Sequence, residues 1–306
     1  MNPNLRPVVI ALGMFDGVHI GHMALLRAAI ELSNRYDSVP IAYTYCEHPQ
    51  ALFGNAPCAL TTQQEKDDLI KELGIETHFV KFDRVFANMY PDEFIAMLER
   101  EYDLRGIVAG FNYHFGKGAA GNSNTLQKLG NIEHFEVGII DPVLYLYESV
   151  SSTRIRNALK LGDMQLANGM LGRPYFFKGE IVAHNQIGSR IGFPTANILP
   201  GNKLVPPNGV YAARATVEAN TYAAAVNIGV RPTVCQSEEI IIEAHILRDC
   251  GDLYGKVLKL ELLSFLRPEK KFDSMEELKQ QIAADCESVK KTVNSPSLKA
   301  KLNSTN

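Results

Sequence analysis

Apolar and polar positions recur along this chain with one rhythm up to about residue 172 and with another after it. In the first stretch, Val8-Val9-Ile10-Ala11-Leu12 is an unbroken apolar run, the pattern of a strand buried on both faces. Ala24, Leu25, Leu26, Ala28, Ala29, Ile30 and Leu32 follow at helical spacing. Pro40–Tyr45 predicts a second strand, His78–Phe82 a short third, and Gly106–Gly110 a further return to the sheet. Thr61 and Thr62, each followed three residues later by Gln64 or Glu65, predict a capped helix that buries Leu69, Ile70 and Leu73 and stops at Gly74. Pro91-Asp92-Glu93-Phe94 opens another, with Pro and acidic residues in its first turn. Strands alternating with helices predict a parallel α/β sheet.

After Leu171-Gly172-Arg173-Pro174 the segments shorten and lose their helices. Phe177–Val182, Val210–Val217, Tyr222–Ile228, Ile240–Leu247 and Val257–Leu263 are strand-length and separated by turns, the pattern of a small antiparallel barrel. Only the end is helical, where Ser274 and Glu277 form a capping pair ahead of Leu278, Ile282, Cys286 and Val289 on one face. The expected division is therefore 1–172, 173–293, and a tail, 294–306, without order.

Composition narrows the function. A chain of 306 residues suits about two domains. With 46% hydrophobic and 21% charged residues it reads as an ordinary globular protein, and a net charge of −3 excludes a dedicated nucleic-acid binder. The five cysteines are odd in number, scattered, and form no Cys-x-x-Cys pair, which points to a reducing, cytoplasmic setting. Neither a signal peptide nor a membrane span is expected, and a monomer or weak homo-oligomer is.

The candidate chemistry begins where the first strand ends. In Leu12–His22, Gly13, Gly17 and Gly21 frame a turn that opens a helix, and His19 and His22 project from one side of its start. A turn at a strand's carboxyl end, joined to a helix N-terminus with its unpaired N–H groups, is built for an anion. Two imidazoles there can donate to phosphate oxygens. A second candidate, Gly110–Gly118, fails as a phosphate loop because five residues separate its first Gly from Gly116-Lys117 and Gly118 replaces the hydroxyl residue. It reads instead as an aromatic loop at a strand end. Ser151-Ser152-Thr153-Arg154-Ile155-Arg156 puts hydroxyls at a helix cap and cations in its first turn, where they oppose the helix dipole unless an anion uses them.

His19-Ile20-Gly21-His22 is similar to the signature of nucleotidyltransferases, and the longer string from Gly13, including Phe15, Asp16 and Gly17, resembles bacterial bifunctional riboflavin kinase/FMN adenylyltransferases. Asn112, with Tyr113 where that family has Phe, and the Ser-Ser-Thr-x-Ile-Arg string match further family segments. So do Pro194-Thr195-Ala196-Asn197, Asn208–Tyr211, Asn227–Thr233, Leu253–Gly255 and Arg267-Pro268-Glu269. The resemblance implies a Rossmann-like adenylyltransferase domain followed by a kinase barrel. It further implies ATP as substrate, with Mg²⁺ held by Thr195 and Asn197. Riboflavin, FMN and FAD become the other partners.

His19 and His22 then serve catalysis and, with Gly13, Phe15, Asp16, Gly17, Asn112, Ser151, Ser152, Thr153, Arg154 and Arg156, bind ATP or flavin; Gly188 does so in the barrel. Glu243 interrupts the apolar strand Ile240–Ile246, so it either faces solvent or serves chemistry; by resemblance it is the base toward the ribityl hydroxyl. The chain departs from the family at Tyr45-Cys46-Glu47, Asn185 and Ser189. Two other readings stand beside this one. The barrel could be a flavin-binding regulatory module, or the histidine motif could belong to a class I aminoacyl-tRNA synthetase, which the short chain and the missing Lys-Met-Ser-Lys-Ser string oppose.

Overall fold

The computed structural model describes residues 5–182, 195–232, 238–248, 250–251 and 253–295. Gly188, Asn185, Ser189, Arg190, Gly192–Pro194, Thr233 and the tail from 296 lie outside the described residues. The chain divides into two compact units, Met1–Ser152 and Thr153–Asn306.

The first unit runs β1 (Pro7–Leu12), α1 (Ile20–Arg35), β2 (Val39–Tyr45), α2 (Gln63–Lys71), β3 (Glu76–Val80), α3 (Arg84–Ala87), α4 (Pro91–Glu101), β4 (Asp103–Gly110), α5 (Ser123–Glu133) and β5 (Glu136–Ile140). A two-stranded ribbon, β6 (Leu144–Tyr145) and β7 (Glu148–Ser149), follows. The large sheet has the order β3-β2-β1-β4-β5 and is parallel throughout its pairs.

β1 is central, which is why its apolar run does not alternate. Val8, Ile10 and Leu12 enter one core with Phe94, Ile95 and Leu98 of α4 and Leu126 of α5. Val9 and Ala11 enter the other with Leu25, Leu26, Ala29 and Leu32 of α1 and Ile70 of α2. Because β2 and β4 flank β1 and run off in opposite directions, the carboxyl ends of β1 and β4 form the switch point at which open α/β sheets bind ligands. The α2 cap forms as the sequence predicts: the Glu65 amide donates to Thr62 Oγ1 at 3.1 Å, and the Thr62 amide to Glu65 Oε2 at 2.9 Å.

The second unit contains α6 (Ser152–Lys160), begun in the first, then α7 (Met164–Leu171), β8 (Tyr175–Glu180), β9 (Ala196–Ile198), β10 (Gly209–Val217), β11 (Asn220–Pro232), β12 (Glu238–Ile246), β13 (Val257–Arg267) and α8 (Met275–Val293). Its six strands pair antiparallel in the order β8-β13-β10-β11-β12-β9. The sheet curls until its two edges meet at the Val182–Asn197 bridge. β9 is absent from the strands that the sequence pattern predicts, because a three-residue strand is too short for any periodicity to show. α8 lies on the outer face, where Val289 packs on Ala212 and Ala225.

Candidate active sites

The histidine turn is held from behind by the segment that leads into α2. Buried Asp16 uses Oδ1 to accept from the Leu60 and Thr61 amides at 2.9 and 3.3 Å, and Thr61 Oγ1 accepts from the Gly17 amide at 3.2 Å. Ser152 Oγ donates to the Asp16 carbonyl at 2.9 Å. Phe15 and Val18 are fully buried and have positive φ, 50° and 39°, a conformation that non-glycine residues adopt only when their surroundings impose it.

Of the three glycines only Gly17 has a positive φ. Gly13 and Gly21 make room for rings: a Cβ at Gly13 would lie 2.9 Å from Phe15 Cζ, and one at Gly21 would lie 3.2 Å from Cε1 and Nδ1 of His19.

His19 is the N-cap of α1, and its Nδ1 accepts from the His22 amide at 3.2 Å. In a neutral imidazole this assigns the proton to Nε2, so His19 offers a donor rather than an acceptor on its other side. The two rings stack with centroids 3.6 Å apart, and Phe15 meets His22 edge-on at 5.3 Å. Both imidazoles thus accompany the α1 N-terminus at the switch point, an arrangement that can hold and stabilise negative charge on phosphate.

At the end of β4 the aromatic loop divides its work. Phe115 is buried and Tyr113 stacks on it at 5.9 Å, plugging the sheet end, while Asn112 and Phe111 stay exposed. Tyr113 donates its hydroxyl to Tyr45 at the end of β2, and burial raises both phenols above their ordinary range. Two of the positions at which this chain departs from the family it resembles therefore bond to each other. Beyond Tyr45, residues Cys46, Glu47, His48, Leu52, Phe82 and Arg84 line a cleft of about 610 Å³.

One residue of this neighbourhood gave no signal in sequence. Lys66 sits on α2 as an ordinary charged helix position would, yet it is 5% exposed. Its ammonium donates to the Tyr45 carbonyl at 3.0 Å, the Met14 carbonyl at 3.1 Å and Thr44 Oγ1 at 3.3 Å. Burial lowers it to about 8 against the opposing pull of Asp16 and Cys46. The partners of a buried lysine cannot be read from the chain because all three are set by tertiary placement. Arg156 is buried as well, on the α6 turn that also carries Thr153 and Arg154, while Ser151 precedes the helix.

In the second unit the register assembles a polar row. Glu243 on β12 pairs with Asn197 on β9 and with Asn227 on β11, so three polar side chains share one face of the sheet. It is the face on which α8 covers Ala225, two residues along β11 from Asn227. Asn197 is 4% exposed, and its Oδ1 has no hydrogen-bond partner. An amide oxygen buried without a partner is unfavourable in a protein alone and well suited to a hard divalent cation. Thr195, half-buried, immediately precedes β9. The donor set therefore fits Mg²⁺. Of the sequence-predicted barrel residues, the fold brings Asn197 and Glu243 together.

Residues 1–154 match the FAD synthetase family and residues 171–293 the riboflavin kinase family. Bifunctional riboflavin kinase/FMN adenylyltransferases from Bacillus subtilis (strain 168) and Escherichia coli (strain K12) are each 34% identical to the chain, over 90% of it and 90% of their own length. That of Buchnera aphidicola subsp. Acyrthosiphon pisum is 33% identical over 94% of the chain and 93% of its own. A crystal structure described as a macrolide-efflux protein from Streptococcus pneumoniae superimposes with a TM-score of 0.86 at 30% identity, covering 95% of this chain and 96% of that one. No helix among the described residues is long and apolar enough to cross a membrane. With both halves matched in the order the sequence motifs predict, the chain belongs to the bifunctional riboflavin kinase/FMN adenylyltransferase family.

Proposed function

We propose that the two units carry the two steps of FAD formation, the barrel acting first and the histidine turn second. The chain is an enzyme of FAD biosynthesis with riboflavin kinase and FMN adenylyltransferase activities, and ATP is the substrate common to both. In the first step the terminal ribityl hydroxyl of riboflavin attacks the γ-phosphorus of ATP, Glu243 takes the hydroxyl proton, and ADP leaves. Thr195 and Asn197 hold Mg²⁺, which when bound neutralises charge on the phosphates. Gly188 completes the nucleotide site. The observation that carries the kinase half is the buried, unpartnered Asn197 Oδ1 in register with Glu243.

In the second step an FMN phosphate oxygen attacks the α-phosphorus of ATP and pyrophosphate leaves. His19 and His22 donate to the phosphate oxygens beside the α1 N-terminus, acting by charge stabilisation rather than as nucleophiles. Gly13, Phe15, Asp16 and Gly17 shape the turn that receives the nucleotide, and Ser151, Ser152, Thr153, Arg154 and Arg156 take the leaving pyrophosphate. Asn112 and the cleft at Cys46–His48 take FMN. The five cysteines are scattered along the chain and form no Cys-x-x-Cys pair, which supports a reducing, cytoplasmic setting.

Chromatography of products from the full-length protein with riboflavin and MgATP tests the reading, because FMN and FAD report the two steps separately. Both are expected, and chelation of the metal stops both. Riboflavin that binds but stays unconverted would make the barrel a flavin-binding module. FMN that accumulates without FAD would remove the second step from the histidine turn.

A further inference from the structure

The oddest group in the first unit is a charge in the wrong place. Lys66 is buried, yet its three hydrogen bonds go to neutral oxygens, the Met14 and Tyr45 carbonyls and the Thr44 hydroxyl. Burying an ammonium without ion pairing is unfavourable, and a position chosen for packing alone would carry Met or Leu. What the ammonium supplies is three donors, matched one for one by three acceptors. Those acceptors are not arbitrary. Met14 directly precedes Phe15, whose φ of 50° is held only while the Met14 peptide keeps its orientation. Thr44 Oγ1 donates to the same Met14 carbonyl at 2.9 Å, so the carbonyl is gripped twice. Tyr45 ends β2, and its own hydroxyl accepts from Tyr113 of the aromatic loop. One side chain therefore joins the carboxyl ends of β1 and β2, and through Tyr45 that of β4.

We propose that Lys66 is a positioning residue for adenylyl transfer, its ammonium fixing the Met14 peptide so that the Phe15–His22 turn presents His19, His22 and the α1 N-terminus to the nucleotide phosphates. The inference rests on the assignment of adenylyl transfer to that turn. Lys66 touches no reacting atom and acts through the turn. Its effect belongs in the geometry reached at the transition state, hence in kcat rather than in the binding of ATP.

The groups facing Lys66 are Asp16 from the turn and Thr44, Tyr45 and Cys46 from β2 and its exit; Phe79 of β3 lies under the ammonium at 5.4 Å, and Glu65 and Asp67 flank it on α2. Burial brings Lys66 down to about 8. The neutral amine has two donors for three acceptors, so the clamp loosens as pH rises through that value.

The test uses the full-length protein, with adenylyl transfer measured from supplied FMN and riboflavin phosphorylation in the same preparation reporting on the other half. Lys66→Met is expected to lower kcat for FAD formation by about 10²-fold, the scale of a small misplacement of a reacting group, with KM for ATP changed far less and FMN formation unchanged. Wild-type kcat should fall as pH rises through about 8, and Lys66→Met should lack that limb. A Lys66→Met enzyme at the wild-type kcat, or one altered in KM alone, overturns the proposal. Should the variant fail to fold, the wild-type profile decides: no fall across that pH overturns it, and a fall there supports it. His22→Ala, run alongside, separates the two levels. If it leaves FAD formation intact, the assignment of the turn fails; if it abolishes FAD formation while Lys66→Met does not, only the role of Lys66 fails.

Discussion

Glu243 stands between Ile242 and Ala244, both fully buried, on a strand where its own side chain is half-buried and in register with Asn197. Glu243→Gln keeps the shape and the hydrogen-bonding reach but removes the basicity. FMN formation should fall by about 10²–10⁴, the usual worth of general acid–base catalysis, while riboflavin affinity and adenylyl transfer from supplied FMN persist. Wild-type phosphorylation by the variant would leave Glu243 a surface residue of its strand. Lys66 makes a second prediction at this scale, opposite in sign to its effect on rate. Its folded value, about 8, lies below the ordinary 10.5, so between the two the unfolded chain holds a proton that the folded chain has released. Stability therefore rises with pH across that window. Denaturant midpoints of the wild type should gain on those of Lys66→Met from its lower to its upper end; parallel curves would mean that the ammonium is not buried in solution. The histidines and Asn197 stand out in sequence because they lie in motif strings, and Glu243 because it interrupts an apolar run. Lys66 does not, since a lysine on an amphipathic helix looks the same whether it ends in water or beneath a turn.

Among the elements, α8 shows how a polar group can anchor a face. Its sequence pattern offers Ile282, Cys286 and Val289 for burial, but Asp285 joins them at 6% exposure. Asp285 accepts from Arg267 of β13, Nε at 3.0 and 3.1 Å and Nη2 at 2.7 Å, and from Gln281 Nε2 at 3.0 Å. Removing one partner of such a pair leaves the other charge uncompensated, at about 3–5 kcal/mol when both are fully buried. The Arg267 side chain is 21% exposed, so Asp285→Ala should fall at the lower end, about 3 kcal/mol. Thermal denaturation followed through FMN formation should reveal the loss, and a further Arg267→Met should restore part of it. No change in either variant would make the pair a surface ornament.

Long, strongly periodic elements such as β1, α1 and β10–β13 emerge from the sequence for the same reason that they fold, because their apolar faces are continuous. α5 does not, because Ser, Asn, Thr and Gly interrupt it and Leu126 is its one fully buried large side chain. β3 begins and ends two residues earlier than its apolar pattern implies, at Glu76–Val80, since pairing with Ile41–Tyr45 sets its bounds rather than its own composition.

For the whole molecule, the question is where the kinase half begins. The sequence places a boundary at 172, the riboflavin kinase match starts at 171, and the second compact unit starts at Thr153. These differ by α6 and α7. α7 packs on β8 and β13, and Asn168 ties the two elements together: its Nδ2 donates to the Leu262 carbonyl at 2.9 Å, and its Oδ1 accepts from the Tyr175 amide at 2.7 Å. Met164, Ala167, Met170 and Leu171 are at most 2% exposed. A fragment beginning at Pro174 discards all of this and leaves the Tyr175 amide and the Leu262 carbonyl without those partners. A fragment beginning at Leu161 keeps it. Burial of a Met or Leu side chain is worth about 1.5–3 kcal/mol, a large share of the stability of a domain this size. The longer fragment should therefore fold alone, convert riboflavin to FMN, and melt well above the shorter one, with denaturation curves and FMN formation measured on both. Equal melting and equal activity would make α7 a linker that happens to lie on the barrel. Loss of FMN formation in both fragments, with the full-length protein active in parallel, would mean that riboflavin phosphorylation requires residues before Leu161.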